Sequence, residues 1–172
     1  MKAARLLYLG VVSRQCCCLG FQFRSATDGD ISTARKILFE ERMNPISLSR
    51  ENLLVAFDDG LDEKPLLGFG QIRPLDENYA ELASLYVLPE RRKRGIGSGI
   101  IVELLRRHKE SPSSQKVCLL TLKPNASLYE KFGFKIVLDN ERKKLPTSLQ
   151  FEFQAGNALS FFLGNDLICM AK

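Results

Sequence analysis

One stretch constrains this chain more than any other: Val87-Leu88-Pro89-Glu90-Arg91-Arg92-Lys93-Arg94-Gly95-Ile96-Gly97-Ser98-Gly99. The apolar run Leu82 to Val87 before it reads as a strand, and the apolar-periodic run Ile100 to His108 after it reads as a helix. A strand, a glycine-rich turn and a helix start make a place to hold phosphate. Glycines let the backbone approach the anion, and the free N–H groups of the first helical turn point at it. The consecutive cations Arg91 to Arg94 add charge-assisted contacts. Two other phosphate loops are excluded. The chain has no G-x-x-x-x-G-K-[ST], and Gly95, Gly97 and Gly99 give G-x-G-x-G rather than G-x-G-x-x-G. A plain solvated turn and a nucleic-acid patch are the competing readings, but no aromatic residue interleaves with the cations, so a base has no stacking platform.

The remaining composition narrows the class. A chain of 172 residues is most simply one domain, and 45% apolar with 26% charged residues is ordinary for a globular protein. No apolar run approaches the roughly 20 residues that span a membrane. Residues 1–24 carry Lys2, Arg5, Arg14 and Arg24 and no acid, while the rest has 21 cations against 20 anions. The basicity is therefore local, which suits an anion site better than a nucleic-acid coat. The acid-free segment 1–21 reads as an organelle-targeting leader (plastid or mitochondrion), with a disordered tail on a cytoplasmic protein as the alternative. Cysteines 16, 17, 18, 118 and 169 form neither a disulfide framework nor a metal knuckle. With one histidine, His108, a zinc site or a Ser–His–Asp hydrolase has little material, and no metal is expected.

Along the chain, Phe21 to Ala26 reads as a strand, and Thr27 or Asp28 caps a helix running to about Arg42. Asn52–Phe57, Leu66–Ile72 and Tyr79–Val87 read as an antiparallel meander, with Asp58 to Glu63 as an acidic hairpin loop. On the last of these strands, period-two alternation places Glu81, Ala83, Leu85 and Val87 on one face. Lys116–Leu122 is apolar on both sides and reads as a buried strand, reached from Val87 by a helical, parallel crossover. A short helix over Pro124–Lys131, a strand over Phe134–Leu138, and strand candidates at Leu149–Phe153, Leu159–Leu163 and Leu167–Met170 complete the chain.

Two motifs resemble a known family. Arg92-Lys93-Arg94-Gly95-Ile96-Gly97 gives R-x-x-G-x-G after a strand ending in Val87-x-Pro89, and Tyr129-Glu130-Lys131-Phe132-Gly133-Phe134 gives Y-E-K-x-G-F. Over residues 22–172 the chain resembles the GNAT superfamily of acetyl-CoA-dependent N-acetyltransferases. The resemblance implies an α/β (mixed α+β) single domain, with a mixed, mostly antiparallel twisted sheet of about six to seven strands and about four helices. It implies acetyl-CoA as co-substrate on Arg92, Lys93, Arg94, Gly95, Ile96, Gly97 and Ser98, with the pantetheine arm on the backbone of Leu85, Tyr86 and Val87. It also implies Tyr129 as general acid to the departing thiolate and Glu81, six residues before Val87, as general base. A tyrosine of unperturbed pKa near 10 can donate that proton, and a desolvated carboxylate can take one from an ammonium. The family's upstream asparagine and alanine are out of register in Lys123-Pro124-Asn125-Ala126-Ser127, so an asparagine contact is not implied. Tyr129 as packing and Glu81 as a paired strand-end charge are the plainer alternatives. The expected reaction is direct acetyl transfer to a primary amine on a protein N-terminus, a lysine or a small molecule. A non-catalytic acyl-CoA-binding module is the alternative, and monomer and homodimer are both open.

Overall fold

In a computed structural model of this protein the described residues are 20–45, 47–60, 65–162 and 166–172, with backbone alone over 158–162. The leader before residue 20, half of the acidic hairpin loop (61–63) and residue 163 of one strand candidate lie outside them.

The described residues open with β1 (Gln22–Ser25) and α1 (Asp28–Glu40), whose start is a reciprocal capping box between Thr27 and Asp30. An antiparallel meander follows: β2 (Leu53–Phe57), β3 (Leu66–Pro74) and β4 (Tyr79–Val87). The glycine loop leads to α2 (Ile96–Glu110), which crosses back to β5 (Lys116–Leu122), parallel to β4. Then come α3 (Ala126–Glu130), the short β6 (Lys135–Ile136), α4 (Asp139–Arg142), α5 (Thr147–Phe162) and β7 (Leu167–Ala171). The seven strands form one sheet in the order β1-β2-β3-β4-β5-β7-β6, in which β4–β5 is the parallel pair. This is the expected mixed, mostly antiparallel GNAT-like sheet, flanked among the described residues by five helices rather than about four.

Alternation along the strands feeds two layers. Leu53, Val55 and Phe69 pack under α1 through Ala34 and Leu38, while Leu54, Ala56 and Leu67 pack under α2 through Ile96, Ile100 and Leu104. Beyond β4, Val117, Leu119 and Met170 bury against α2 and α3, and Cys118 and Cys169 bury against Leu149 of α5. The sheet thus carries α1 and α5 on one face and α2 and α3 on the other.

Two expected strands are absent. Residues 149–153 and 159–162 belong to α5. Leu149, Phe151 and Phe153 alternate like a strand, but Leu145, Leu149 and Phe153 also recur at helical spacing, and Leu145, Leu149 and Phe153 are the residues that join the core cluster with Cys118 and Cys169. Phe151 is left 72% exposed. The helix therefore satisfies the local hydrogen bonds and still places an apolar stripe on the sheet. The strand expected over Phe134–Leu138 is only two residues long, and α2 begins four residues earlier than expected, at Ile96.

Candidate active site

The sheet opens where β4 leaves β5. Their pairing covers Tyr79↔Lys116, Ala80↔Val117 and Glu81↔Cys118 and then stops, although β5 continues to pair with β7 as far as Leu122↔Leu167. From Leu82 onward β4 therefore turns one edge of N–H and C=O groups into a wedge between the two strands. A bulge sits in the same segment. Between Gln71↔Ala83 and Phe69↔Tyr86, β3 advances by two residues and β4 by three, and Ser84 takes a left-handed φ of 56°. The extra residue reverses the alternation. Glu81 and Ala83 face the α1/α5 side, whereas Leu85 and Val87 pack with α2 and Tyr86 packs with α1. The four residues Glu81, Ala83, Leu85 and Val87 expected on one face are thus divided between two.

At the end of the wedge lies the glycine loop. Lys93 and Gly95 both take positive φ, 60° and 81°, and Gly95 is the N-cap of α2. No side chain caps this helix and no acid occupies its first turn, so its leading amides are free to accept an anion. A Cβ on Gly95 would meet nothing within 4 Å, and one on Gly97 would meet only Val87 Cγ2 at 3.5 Å. The space in front of these two glycines is open to a ligand. Gly99 has a different role: a Cβ there would lie 2.9 Å from Phe23 Cζ, so this glycine lets α2 press onto β1.

The predicted loop residues divide the same way. Lys93 and Arg94 are exposed, Ser98 is in the first helical turn, and the Ile96 side chain is buried, leaving only its N–H to offer. Arg92 turns back on the loop, its Nε donating to the Val87 carbonyl at 3.0 Å and its guanidinium 5.7 Å from the Tyr86 ring centroid. Arg91, absent from the predicted set, joins Arg94 and Ile96 around a cleft of about 290 Å³ that also touches Phe21, Leu67 and Asp58. A larger cavity of about 460 Å³ lies at the far end of α2, beside Arg107, His108 and Pro74, and holds none of the predicted residues.

Tyr129 is 7% exposed and packs edge-on to Phe134 at 6.2 Å, under α2. Burial raises its pKa, against a lowering hydrogen bond from the Thr121 side chain on β5. At neutral pH it is a protonated donor. Glu81 is on the opposite face, 3% exposed. Arg73 Nε and Nη2 both donate to Glu81 Oε2, at 2.9 and 2.6 Å, and Nη2 also donates to Glu152 Oε1 on α5 at 2.8 Å. Burial pushes the Glu81 pKa up, Arg73 pulls it down, Glu152 pushes it up again, and the net direction is upward. Beside Arg73 on β3, fully buried Gln71 donates to the Ser47 carbonyl and to Ser84 Oγ, tying the α1–β2 loop to the bulge, while its Oε1 has no partner among the described residues.

The other ionisable groups offer little. Burial is the main cause raising Cys118 to about 12 and Cys169 to about 11, so neither is a ready thiolate nucleophile. Among the described residues no three His, Cys, Asp or Glu side chains are placed to hold a metal, and no helix is long and apolar enough to cross a membrane.

A sheet split beside an uncapped, glycine-opened helix start defines the architecture, and comparison with known proteins decides the family. The model of the acetyltransferase (GNAT) domain matches residues 49–136, slightly more than half of the chain. The chain belongs to the GNAT acetyltransferase family. The GNAT match takes in Glu81, the glycine loop and Tyr129 but stops short of Glu152. Solved GNAT-like structures agree in fold. Rv2747 from Mycobacterium tuberculosis, in complex with CoA, superposes with a TM-score of 0.65 at 18% identity, covering 86% of this chain and 97% of that one. Ard1 from Thermoplasma volcanium gives 0.59 at 15% identity, covering 89% and 97%. Arabidopsis thaliana NAA60, in complex with a bisubstrate analogue, gives 0.56 at 18% identity, covering 88% and 97%. No curated protein matches the chain in sequence.

Arg73, Gln71, Thr121 and Glu152 were not singled out from the sequence. Arg73 lies one residue past the expected strand Leu66–Ile72, and Glu152 lies inside a stretch that alternates like a strand. The one available signal was a charged residue at i+3 from Leu149 on the stripe that also carries Phe153.

Proposed function

We propose that this GNAT domain transfers an acetyl group from acetyl-CoA to a primary amine by direct attack within a ternary complex. The observation that carries the reading is the coincidence of the wedge past Glu81↔Cys118 with the uncapped, glycine-opened start of α2. Acetyl-CoA brings an activated acetyl thioester. Its pyrophosphate suits the amides of Ile96, Gly97 and Ser98 with Lys93 and Arg94 beside them, and its pantetheine arm suits the free edge of Leu85 to Val87. Arg92 shapes the loop through Val87 and Tyr86. A β4 amide in the wedge is fixed before reaction, as stabilisation of a developing oxyanion requires.

Two side chains handle the protons, and the second proton shed by the acylated nitrogen ends on the Tyr129 oxygen, which regenerates the donor. Glu81, on one face, takes a proton from the acceptor ammonium directly or through a water, and its upward-shifted pKa makes it a better base than a surface glutamate. Tyr129, on the other face, gives its hydroxyl proton to the departing thiolate. The new C–N bond forms as the C–S bond breaks, and the products are the N-acetyl amine and CoA. No covalent enzyme intermediate is required. Acceptors on a protein N-terminus, a lysine side chain or a small amine all fit this chemistry. NAA60's bisubstrate analogue and Rv2747's CoA complex come from proteins of this fold and accord with it.

One observation favours a second reading, an acyl-CoA-binding module without turnover: the Glu81 carboxylate is buried and held by Arg73. The test is thiol release from acetyl-CoA in the presence of a hexapeptide that offers a free α-amine and one lysine. The enzyme reading expects acceptor-dependent release by the wild type and at least about a hundredfold lower kcat in Glu81→Gln, the order of a general-base contribution. Tight acetyl-CoA binding with no acceptor-dependent release from any amine would establish the module instead.

A further inference from the structure

Helix α5 places a charged residue where an apolar one would suffice. Leu149, Phe153 and Gly156 lie against the sheet, Gly156 so closely that a Cβ would be 2.8 Å from Leu167 Cδ2, and Glu152 shares this inward stripe. Arg73 does not need it for neutrality, because Glu81 alone balances one guanidinium. The cluster as built has two carboxylates to one cation, largely out of water, and such an excess is costly unless it is used. The geometry shows what the second carboxylate changes. Both hydrogen bonds from Arg73 to Glu81 fall on Oε2, because Nη2 is shared with Glu152 Oε1. A guanidinium facing a single carboxylate tends to fork across both oxygens. Here Glu152 draws the fork sideways, and the Arg73 bonds leave Oε1 of Glu81 untouched.

We propose that Glu152 is a positioning residue for the transfer: by sharing Arg73 it keeps one oxygen of Glu81 open to the acceptor's proton. This rests on Glu81 as the base and goes beyond it, since Glu152 lies outside the matched family segment on a helix between β6 and β7. The groups facing Glu81 are Arg73 from β3, Glu152 from α5, and the thiols of Cys118 on β5 and Cys169 on β7, which burial keeps protonated at neutral pH. Among the described residues, Glu152 is thus the carboxylate that counters Arg73 beside Glu81. With Glu152 neutral, Arg73 closes over both oxygens and the Glu81 carboxylate becomes a weaker base.

The experiment compares wild type, Glu152→Gln, Glu81→Gln and the double variant. The lysine-containing hexapeptide is the acceptor, and acetyl-CoA binding is measured calorimetrically for each. In Glu152→Gln we expect kcat about tenfold lower, an unchanged KM for acetyl-CoA, and an acid limb of kcat/KM moved to lower pH. In the double variant we expect the kcat of Glu81→Gln alone, because Glu152 acts through Glu81. Additive losses, or an unmoved acid limb, would overturn the proposal and leave Glu152 a packing residue of α5. Carboxyl-carbon NMR of glutamate-labelled protein gives the same answer without any acceptor: the Glu81 midpoint drops in Glu152→Gln if the proposal holds and stays if it does not. Glu152→Asp, which keeps the charge, should retain the wild-type limb; it carries the test if glutamine disturbs the helix. A wild type that neither binds acetyl-CoA nor acetylates the peptide would instead remove the acetyltransferase reading, an outcome distinct from both.

Discussion

At the scale of single residues, the two groups proposed to carry protons sit on opposite faces of the sheet, and their environments differ in kind. Tyr129 is enclosed by Leu119, Phe134 and α2 with Thr121 as its polar partner, so burial dominates and the hydroxyl is protonated at neutral pH. Glu81 is as deeply buried but is bound to a cation that it shares with a second carboxylate, so its basicity is a balance that a neighbour can move. Tyr129→Phe removes the proton and little volume. It should lower kcat on the order of a hundredfold while calorimetric acetyl-CoA affinity stays within about threefold. Full activity in this variant would reduce Tyr129 to a packing residue. Tyr129 was legible in the sequence because a six-residue motif carries it. The ion-pair cluster around Glu81 was not, because its members are 8 and 79 residues apart in sequence and meet only through strand register and a helix.

At the scale of elements, α2 shows how one short sequence serves two purposes. Gly97 faces open space and Gly99 faces the Phe23 and Phe21 rings. The two glycines look equivalent in the sequence, and no local pattern separates them; the packing of α2 on β1 does. Gly97→Ala should leave the thermal midpoint nearly unchanged and weaken acetyl-CoA, since the methyl enters the ligand's space. Gly99→Ala should cost about 1–3 kcal/mol of stability through overpacking, while the folded fraction still binds. A reversed pattern, with Gly97→Ala unstable and Gly99→Ala defective in binding, would contradict the division. The other element-scale lesson is α5. Its sequence supports two periods at once, and the choice between them was made by the apolar surface of β5 and β7, which lies elsewhere in the chain. The bulge at Ser84 is similar in origin. Nothing in Ala83-Ser84-Leu85 announces it, and it depends on Gln71 and the α1–β2 loop to hold the left-handed residue.

At the scale of the whole molecule, the meander and the parallel crossover follow from apolar periodicity and connection lengths, and these are readable in the sequence. The split is not written in the local residues: strand-forming residues run on past Glu81, yet the pairing with β5 ends there. That split and the loop at its end are the core of the account, so the most direct measurement is calorimetric titration of the protein with acetyl-CoA at moderate salt, with ATP as the control. The wedge and loop acting together predict saturable binding at one site per chain that ATP does not reproduce, weakened in Gly97→Ala. Binding absent, or matched by ATP, would mean that the loop holds phosphate alone or nothing, and that the wedge between β4 and β5 is not an acetyl-CoA site.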